Sequence, residues 1–372
     1  MKALYSFFKK ETVLCISFVC AAVSCIFTPP SYETLASIDF RVLALLFCLM
    51  ASVAGLNGAG LLGQLSHLVL TRARSQRLLV LLMTLLCFFS SMVMTNDVSL
   101  VAFVPLTLLL LEQAGLEKLF IPTVTLETVA ANLGSALTPV GNPQNLYLFS
   151  AYEMSPGAFF SVTAPLCAVS LLLVVASVFL LRIRGSLSVT PAPAAPLKRS
   201  RLLLHGALFA LCLLTVFSVL DWRVLLGVVV VVLLIGDRQV FKRVDYALLM
   251  TFVCFFIFSG NLSRIPAVRS LLTLMMDKSA FFASLAASQI ISNVPAALLL
   301  APFTDNARAM ILGTDVGGLG TLVASLASLI SYKYYARTQG AQSGRYLLFF
   351  TAVNVALLLP LIALSLLLLA VG

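Results

Sequence analysis

Apolar residues run in long blocks along this chain, with polar residues gathered in short gaps between them. Blocks near 12–28, 41–57, 119–149, 158–182, 202–220, 223–236, 245–260, 307–332 and 346–370 read as nine membrane crossings, for which roughly 17 to 25 mostly apolar residues are the usual length. Two further apolar regions, 78–111 and 281–303, are split by SSMVMTNDVS and SQIISNVP. Their arms are mostly too short to span, which predicts a re-entrant hairpin in each. The crossings at 119–149 and 307–332 carry breaks of their own, ALTPVGNPQN (136–145) and GGLGTLVASLASL (317–329). The predicted fold is an all-α polytopic membrane protein with about nine full spans plus two hairpins.

Backbone polar groups in hydrocarbon must be paired, so irregular chain at membrane depth persists only where it is buried in protein or lines a wet cavity. In the first break, Pro139 and Pro143 remove helical donors, Gly141 permits a tight turn, and Asn142, Gln144 and Asn145 offer replacement partners. The half-helix N-termini created there present free N–H groups to anions, and the C-terminal carbonyls face cations.

The two halves of the chain are related. At a constant offset of 183, Gly134 falls on Gly317, Thr138 on Thr321, Val140 on Val323 and Leu146 on Leu329, without a gap. Upstream of each break lies a hairpin with an asparagine at its tip, Thr95-Asn96-Asp97 and Ser292-Asn293-Val294. This recurring order predicts two inverted repeats, at 1–181 and 201–372, joined by a Pro/Ala-rich cytoplasmic linker at 182–200. Two tips and two breaks then enclose one midplane site. Its expected members are Thr95, Asn96, Asp97, Gly134, Ser135, Thr138, Gly141, Asn142, Asn145, Ser292, Asn293, Gly317, Gly318, Thr321 and Ser325.

Composition agrees: 61% of the 372 residues are hydrophobic, 10% are charged, and mean hydropathy is +1.07. The net charge of +10 is read as membrane orientation, not nucleic-acid binding. With the N-terminus cytoplasmic, nine crossings leave eighteen Lys and Arg inside and six outside, and put the C-terminus outside the cell (inner) membrane. The eight cysteines lie in apolar segments without metal-ligand spacing and read as small hydrophobes. The basic head and apolar run of residues 1–27 lack a convincing cleavage site, so they read as a retained first helix. No P-loop, nucleophile elbow or dinucleotide fingerprint occurs, so neither an ATPase engine nor an enzyme is expected, and no cofactor beyond a coupling ion.

Three acids lie in apolar surroundings: Asp97, Glu127 and Asp315. An unpaired acid at the bilayer centre costs about 2.5 to 3.5 kcal/mol on insertion scales, which makes each a candidate for coupling to H+ or Na+. For Asp97 and Asp315 the competing reading is a helix cap or loop acid near the interface. For Glu127 it is pairing with Lys118 or reaching the membrane edge. Gly55, Gly58, Gly60 and Gly63 are expected to permit close packing or end the second helix, and His67 and His205 to be interfacial. No arginine sits at a tip or a break, so helix ends and amides are expected to hold the anion.

NLGSALTPVGNPQN, TNDVSLVAFVPLT, SNVPAALLL and GTDVGGLGTLVASLASLISYKYY resemble the signature regions of the ion transporter superfamily, closest to its arsenite permease/citrate-transporter-like branch. The resemblance covers almost the whole chain. In the superfamily's carboxylate symporters each tip carries Ser-Asn-Thr and binds sodium and substrate. Thr95-Asn96-Asp97 gains an acid against that pattern and Ser292-Asn293-Val294 loses a hydroxyl. The resemblance implies a homodimer with a fixed scaffold and a moving transport domain. The function expected is secondary transport, by an elevator mechanism, of a small anion or oxyanion coupled to H+ or Na+. Arsenite or metalloid efflux and Na+/H+ antiport are the alternatives.

Overall fold

The computed structural model describes residues 11–187 and 196–371. The basic residues Lys2, Lys9 and Lys10 and the middle of the 182–200 linker lie outside them. The described residues form seventeen α-helices and three short 3-10 segments. Before the linker come α1 (Thr12–Phe27), α2 (Tyr32–Ala36), α3 (Phe40–Gly58), α4 (Leu61–Arg72), α5 (Gln76–Ser91), α6 (Asn96–Gln113), α7 (Phe120–Ser135), α8 (Pro143–Ala151) and α9 (Pro156–Leu180). After it come α10 (Arg199–Val216), α11 (Trp222–Gly236), α12 (Tyr246–Arg264), α13 (Pro266–Ile291), α14 (Asn293–Leu300), α15 (Ala307–Gly317), α16 (Leu326–Tyr335) and α17 (Ser343–Val371). Six of them, α3, α6, α9, α10, α12 and α17, are long and apolar enough to cross a membrane. The protein is an all-helical, multi-pass membrane protein.

Polar residues in the gaps start the helices. Asp39, Ser75, Ser155, Asp245 and Asn306 each accept a hydrogen bond from the backbone N–H three residues on, satisfying a donor that the first turn leaves free. The outer helices then sort their residues by face. Along α17, Tyr346, Phe350, Asn354, Leu357, Leu361 and Ser365 form one buried stripe, while Leu348, Leu359 and Leu367 point outward. The inner half-helices have no outward face: α7 is buried throughout from Thr123 to Ser135 and α15 from Ala309 to Gly317. Such burial requires close approach. A Cβ on Gly134 would lie 2.1 Å from the Phe88 carbonyl oxygen, and one on Gly317 2.8 Å from the Ser288 Cβ.

The packing corresponds between the halves. α1 packs on α12 as α10 packs on α3, and α5 packs on α7 as α13 packs on α15. Across the halves, α8 lies against α14 as α16 lies against α6. The long helices follow the same rule, with α9 on α7 and α15, and α17 on α15 and α7. In the first half only the short α2 separates α1 from α3, whereas the 15-residue α11 stands between α10 and α12.

Two sequence expectations change. α6 is 18 residues long and apolar enough to span by itself, so the second arm of the 78–111 hairpin is not short. The first arm of the 281–303 hairpin is the end of the 26-residue α13, which kinks at Ser279 (φ −170°, ψ 96°). Only the arm after the tip, α14 and the 3-10 turn Ala301–Phe303, is as short as expected.

Candidate functional site

Each hairpin tip is fastened to the irregular segment of its own half by the same two bonds. The Asn96 N–H donates to the Gly141 carbonyl at 3.1 Å, and the Asn293 N–H donates to the Ala324 carbonyl at 2.9 Å. The Thr138 hydroxyl donates to the Met92 carbonyl, and the Thr321 hydroxyl to the Gln289 carbonyl. Inside each tip the asparagine Oδ1 accepts from the next backbone N–H, of Asp97 or Val294, at 3.0 Å. Ser292 holds the second tip at φ 75°, a left-handed conformation uncommon outside glycine and sustained only where surrounding contacts impose it. Gln289 adds a strap in the second half, donating to the carbonyls of Gly317 and Leu319 and accepting from the Thr321 N–H.

Two buried polar clusters join the halves to each other. In one, Asn132 near the end of α7 accepts at Oδ1 from Asn96 Nδ2 (2.9 Å) and Ser325 Oγ (3.0 Å). Its amide nitrogen donates to Ser328 Oγ (3.4 Å) and the Gly318 carbonyl (3.5 Å). In the other, Asp315 near the end of α15 accepts from Asn142 Nδ2 at 3.3 Å and Asn145 Nδ2 at 3.0 Å. The offset of 183 relates them member by member, Asn132 to Asp315, Asn142 to Ser325 and Asn145 to Ser328. Asn142 also caps α8, accepting from the Asn145 N–H at 2.8 Å and donating to Ser135 Oγ at 3.2 Å. The Asn145 Oδ1 and Gln144 Oε1 atoms beside Asp315 are buried without a partner.

Beside the first tip a cavity of about 520 Å³ opens between α3, the start of α6, Val140 and Ile330. Thr95 and Asp97 line it from the tip, Arg243 and Asp245 from the segment before α12, and the rest of its wall is largely apolar. The Asp97 carboxylate makes no hydrogen bond or ion pair among the described residues.

The sequence profile described as "Citrate transporter" matches residues 8–311. The chain belongs to this citrate transporter family. The Uncharacterized transporter MJ0456 of Methanocaldococcus jannaschii is 30% identical over 89% of this chain and 90% of its own length. The Inner membrane protein YbiR of Escherichia coli is 28% identical over 82% of each. Among solved structures, the YdaH transporter of Alcanivorax borkumensis superposes with a TM-score of 0.56 over 96% of both chains at 16% identity, a likeness of fold. The protein is thus a membrane transporter of the citrate/anion type.

In this citrate transporter family member, Asn96, Ser135, Gly141, Asn142, Asn145, Asn293, Gly318 and Ser325 meet in the two clusters and the bonds around them. Gly134 and Gly317 serve close packing. Thr138 and Thr321 tie hairpins to breaks, and Thr321 is exposed. Ser292 is buried at its tip, donating to the Ala324 carbonyl at 3.4 Å. The three acids are apart: Asp315 in a cluster, Asp97 in the cavity, and Glu127 fully buried between α6 and α7, where it accepts from the Thr107 hydroxyl and does not pair with Lys118. His205, expected at the interface, is fully buried, its Nε2 3.3 Å from Asp237 Oδ2. Sequence reasoning missed Asn132, Ser328, Gln289 and Arg243. The 183 offset, carried two residues upstream of Gly134 and applied to polar type instead of identity, finds Asn132 and Ser328.

Proposed function

We propose that this chain is a secondary active transporter that moves a small, carboxylate-like anion or oxyanion coupled to H+ or Na+. The observation that carries the reading is the pair of matched polar clusters, through which each broken helix holds the first turn of the other half's second half-helix. Two tips and two breaks joined in this way suit a binding site that must open first to one side and then to the other. In this reading the halves at 1–181 and 201–372 are inverted repeats, the linker and the N-terminus are cytoplasmic, and the C-terminus lies outside the inner membrane. Hairpins and broken helices move as an elevator against a scaffold containing α3 and α12, in a homodimer.

Coupling follows from the acids. A carboxylate accepts hydrogen bonds only, and an empty charged site is costly to carry through an apolar barrier, so a proton or Na+ must accompany it. Asp97, partnerless in the cavity, and Asp315, beside the unpartnered oxygens of Asn145 and Gln144, both suit this role. Citrate, succinate, arsenite, sulfate, sodium and lithium, screened by thermal shift and proteoliposome uptake, test the function. Stabilisation and gradient-driven uptake with at least one of the anions are expected, lost in Asn96→Ala and Asn293→Ala at normal expression. A response to arsenite alone would make the chain a metalloid permease. A response to sodium alone would make it a Na+/H+ antiporter, with the acids themselves carrying the ion. Uptake that survives both alanine variants contradicts the site.

A further inference from the structure

The cavity beside the first tip holds one cationic side chain among its described lining residues, Arg243, which comes from outside every tip and break. Its guanidinium is pressed against α3: a Cβ on Gly58 would lie 2.2 Å from Arg243 Nη1. One turn earlier the same helix seats His205, whose ring would meet a Cβ on Gly55 at 2.0 Å. The two glycines of GLNG are thus the floor under two side chains from the second half. The 3-10 segment Arg238–Arg243 that delivers Arg243 is anchored just before its first residue. There Asp237 Oδ2 lies 3.3 Å from His205 Nε2 and 3.5 Å from Arg201 Nη1.

Two carboxylates, Asp97 and Asp245, line the same cavity, yet neither pairs with Arg243. Its side chain makes no hydrogen bond or ion pair among the described residues. Of the two cavity acids, Asp245 spends Oδ1 on the Leu248 N–H at 2.9 Å, capping α12. Asp97 lies on the first turn of α6. Most of the remaining wall is aliphatic (Leu49, Met50, Val53, Val98, Val101, Val140 among it), so few polar groups compete for a charge brought in. A guanidinium matches carboxylate and oxyanion geometry with paired N–H donors.

We propose that Arg243 is the charge-selecting side chain of this cavity, drawing in an anion and docking one carboxylate or oxyanion group of it. The inference rests on the transport reading above and adds to it the group that makes the cavity choose anions. Val98→Cys places a thiol on the cavity wall, and Val101→Cys supplies a second position if the first disturbs folding. The readout is the ratio of labelling rates with an anionic and a cationic methanethiosulfonate of similar size, corrected for the parent chain's own cysteines. Arg243→Gln is expected to shift that ratio toward the cationic reagent by about tenfold, as loss of one nearby unit charge should. Arg243→Lys should keep it within about twofold of the parent, and Asp245→Asn should move it the opposite way. A ratio unchanged in Arg243→Gln overturns the proposal. The transport reading stands or falls separately on Asn96→Ala and Asn293→Ala. Uptake lost there with an unchanged reagent ratio removes only the role of Arg243, whereas uptake retained with a shifted ratio removes the transport site and keeps the selectivity.

Discussion

Asn132 and Asp315 occupy matched places at the ends of matched half-helices, yet one is neutral and the other is an acid. Their partners differ to suit. The amide of Asn132 both accepts and donates, and it meets Asn96, two hydroxyls and a carbonyl. The carboxylate of Asp315 only accepts, and it meets two amide NH2 groups. In the transport reading proposed above, one geometry carries a structural joint on one side and the candidate cation site on the other. A pseudo-symmetric frame needs only one such change to hold an ion in one half without holding it in both.

Removing the acid should have the largest effect. Asp315→Ala leaves one N–H of each of the buried Asn142 and Asn145 amides without an acceptor, the other staying on Ser135 Oγ or the Ala136 carbonyl, at about 1 to 3 kcal/mol for each stranded donor. A clearly lowered melting temperature and no measurable uptake are expected; a parent-like melting curve would show the Asp315 cluster to be loosely held. Asp97→Asn keeps shape in the cavity while removing charge and titration. It should fold and bind substrate but lose accumulation driven by an ion gradient, retaining at most exchange between two substrate pools. If it accumulates as the parent does, coupling passes to Asp315 or Glu127.

Making the two clusters alike is the next test. In Asn132→Asp, Oδ1 keeps its two donors, but the second oxygen replaces an N–H that faces the Gly318 carbonyl, so a bond becomes a repulsion. Roughly 1 to 3 kcal/mol of stability should be lost, read as a lower midpoint in thermal unfolding in detergent. An unaffected midpoint would mean that the neutral partner at 132 is not required. The smallest effects belong to the two straps. Thr138→Val should cost about 1 kcal/mol and Thr321→Val less, because the exposed Thr321 partners can turn to water. An inverted order would contradict the ranking by burial.

Much of this was legible in the sequence. Pro139, Gly141 and Pro143 announced an irregular segment, and Asn96 and Asn293 marked the tips, because a membrane leaves unpaired backbone few places to go. Thr138 and Thr321 matched by identity and make the same bond. The rest was hidden for physical reasons. Asn142, Asn145 and Ser325 were expected in the site, but their pairing across the halves, and Ser328 with it, was not, because Asn142 and Ser325, like Asn145 and Ser328, match by hydrogen-bonding role and not by identity. His205 looked interfacial because it lies next to a cytoplasmic helix end in the sequence reading, while its ring is buried against Gly55 by packing between distant helices. Arg243 reaches the cavity from a basic gap that reads as a topology signal, and nothing local reveals that it folds back on Gly58.

The most direct test of alternating access is the thiol accessibility of Val93→Cys and Ile291→Cys, exposed positions beside the two tips that leave both asparagines in place, read with an impermeant reagent on right-side-out and inside-out vesicles. Each is measured with and without a saturating concentration of whichever anion stabilises the protein in the thermal-shift screen. The expected result is reciprocal: the anion should raise labelling of one tip from its side and lower that of the other from the opposite side. Labelling of both tips from a single side, unchanged by the anion, would contradict it.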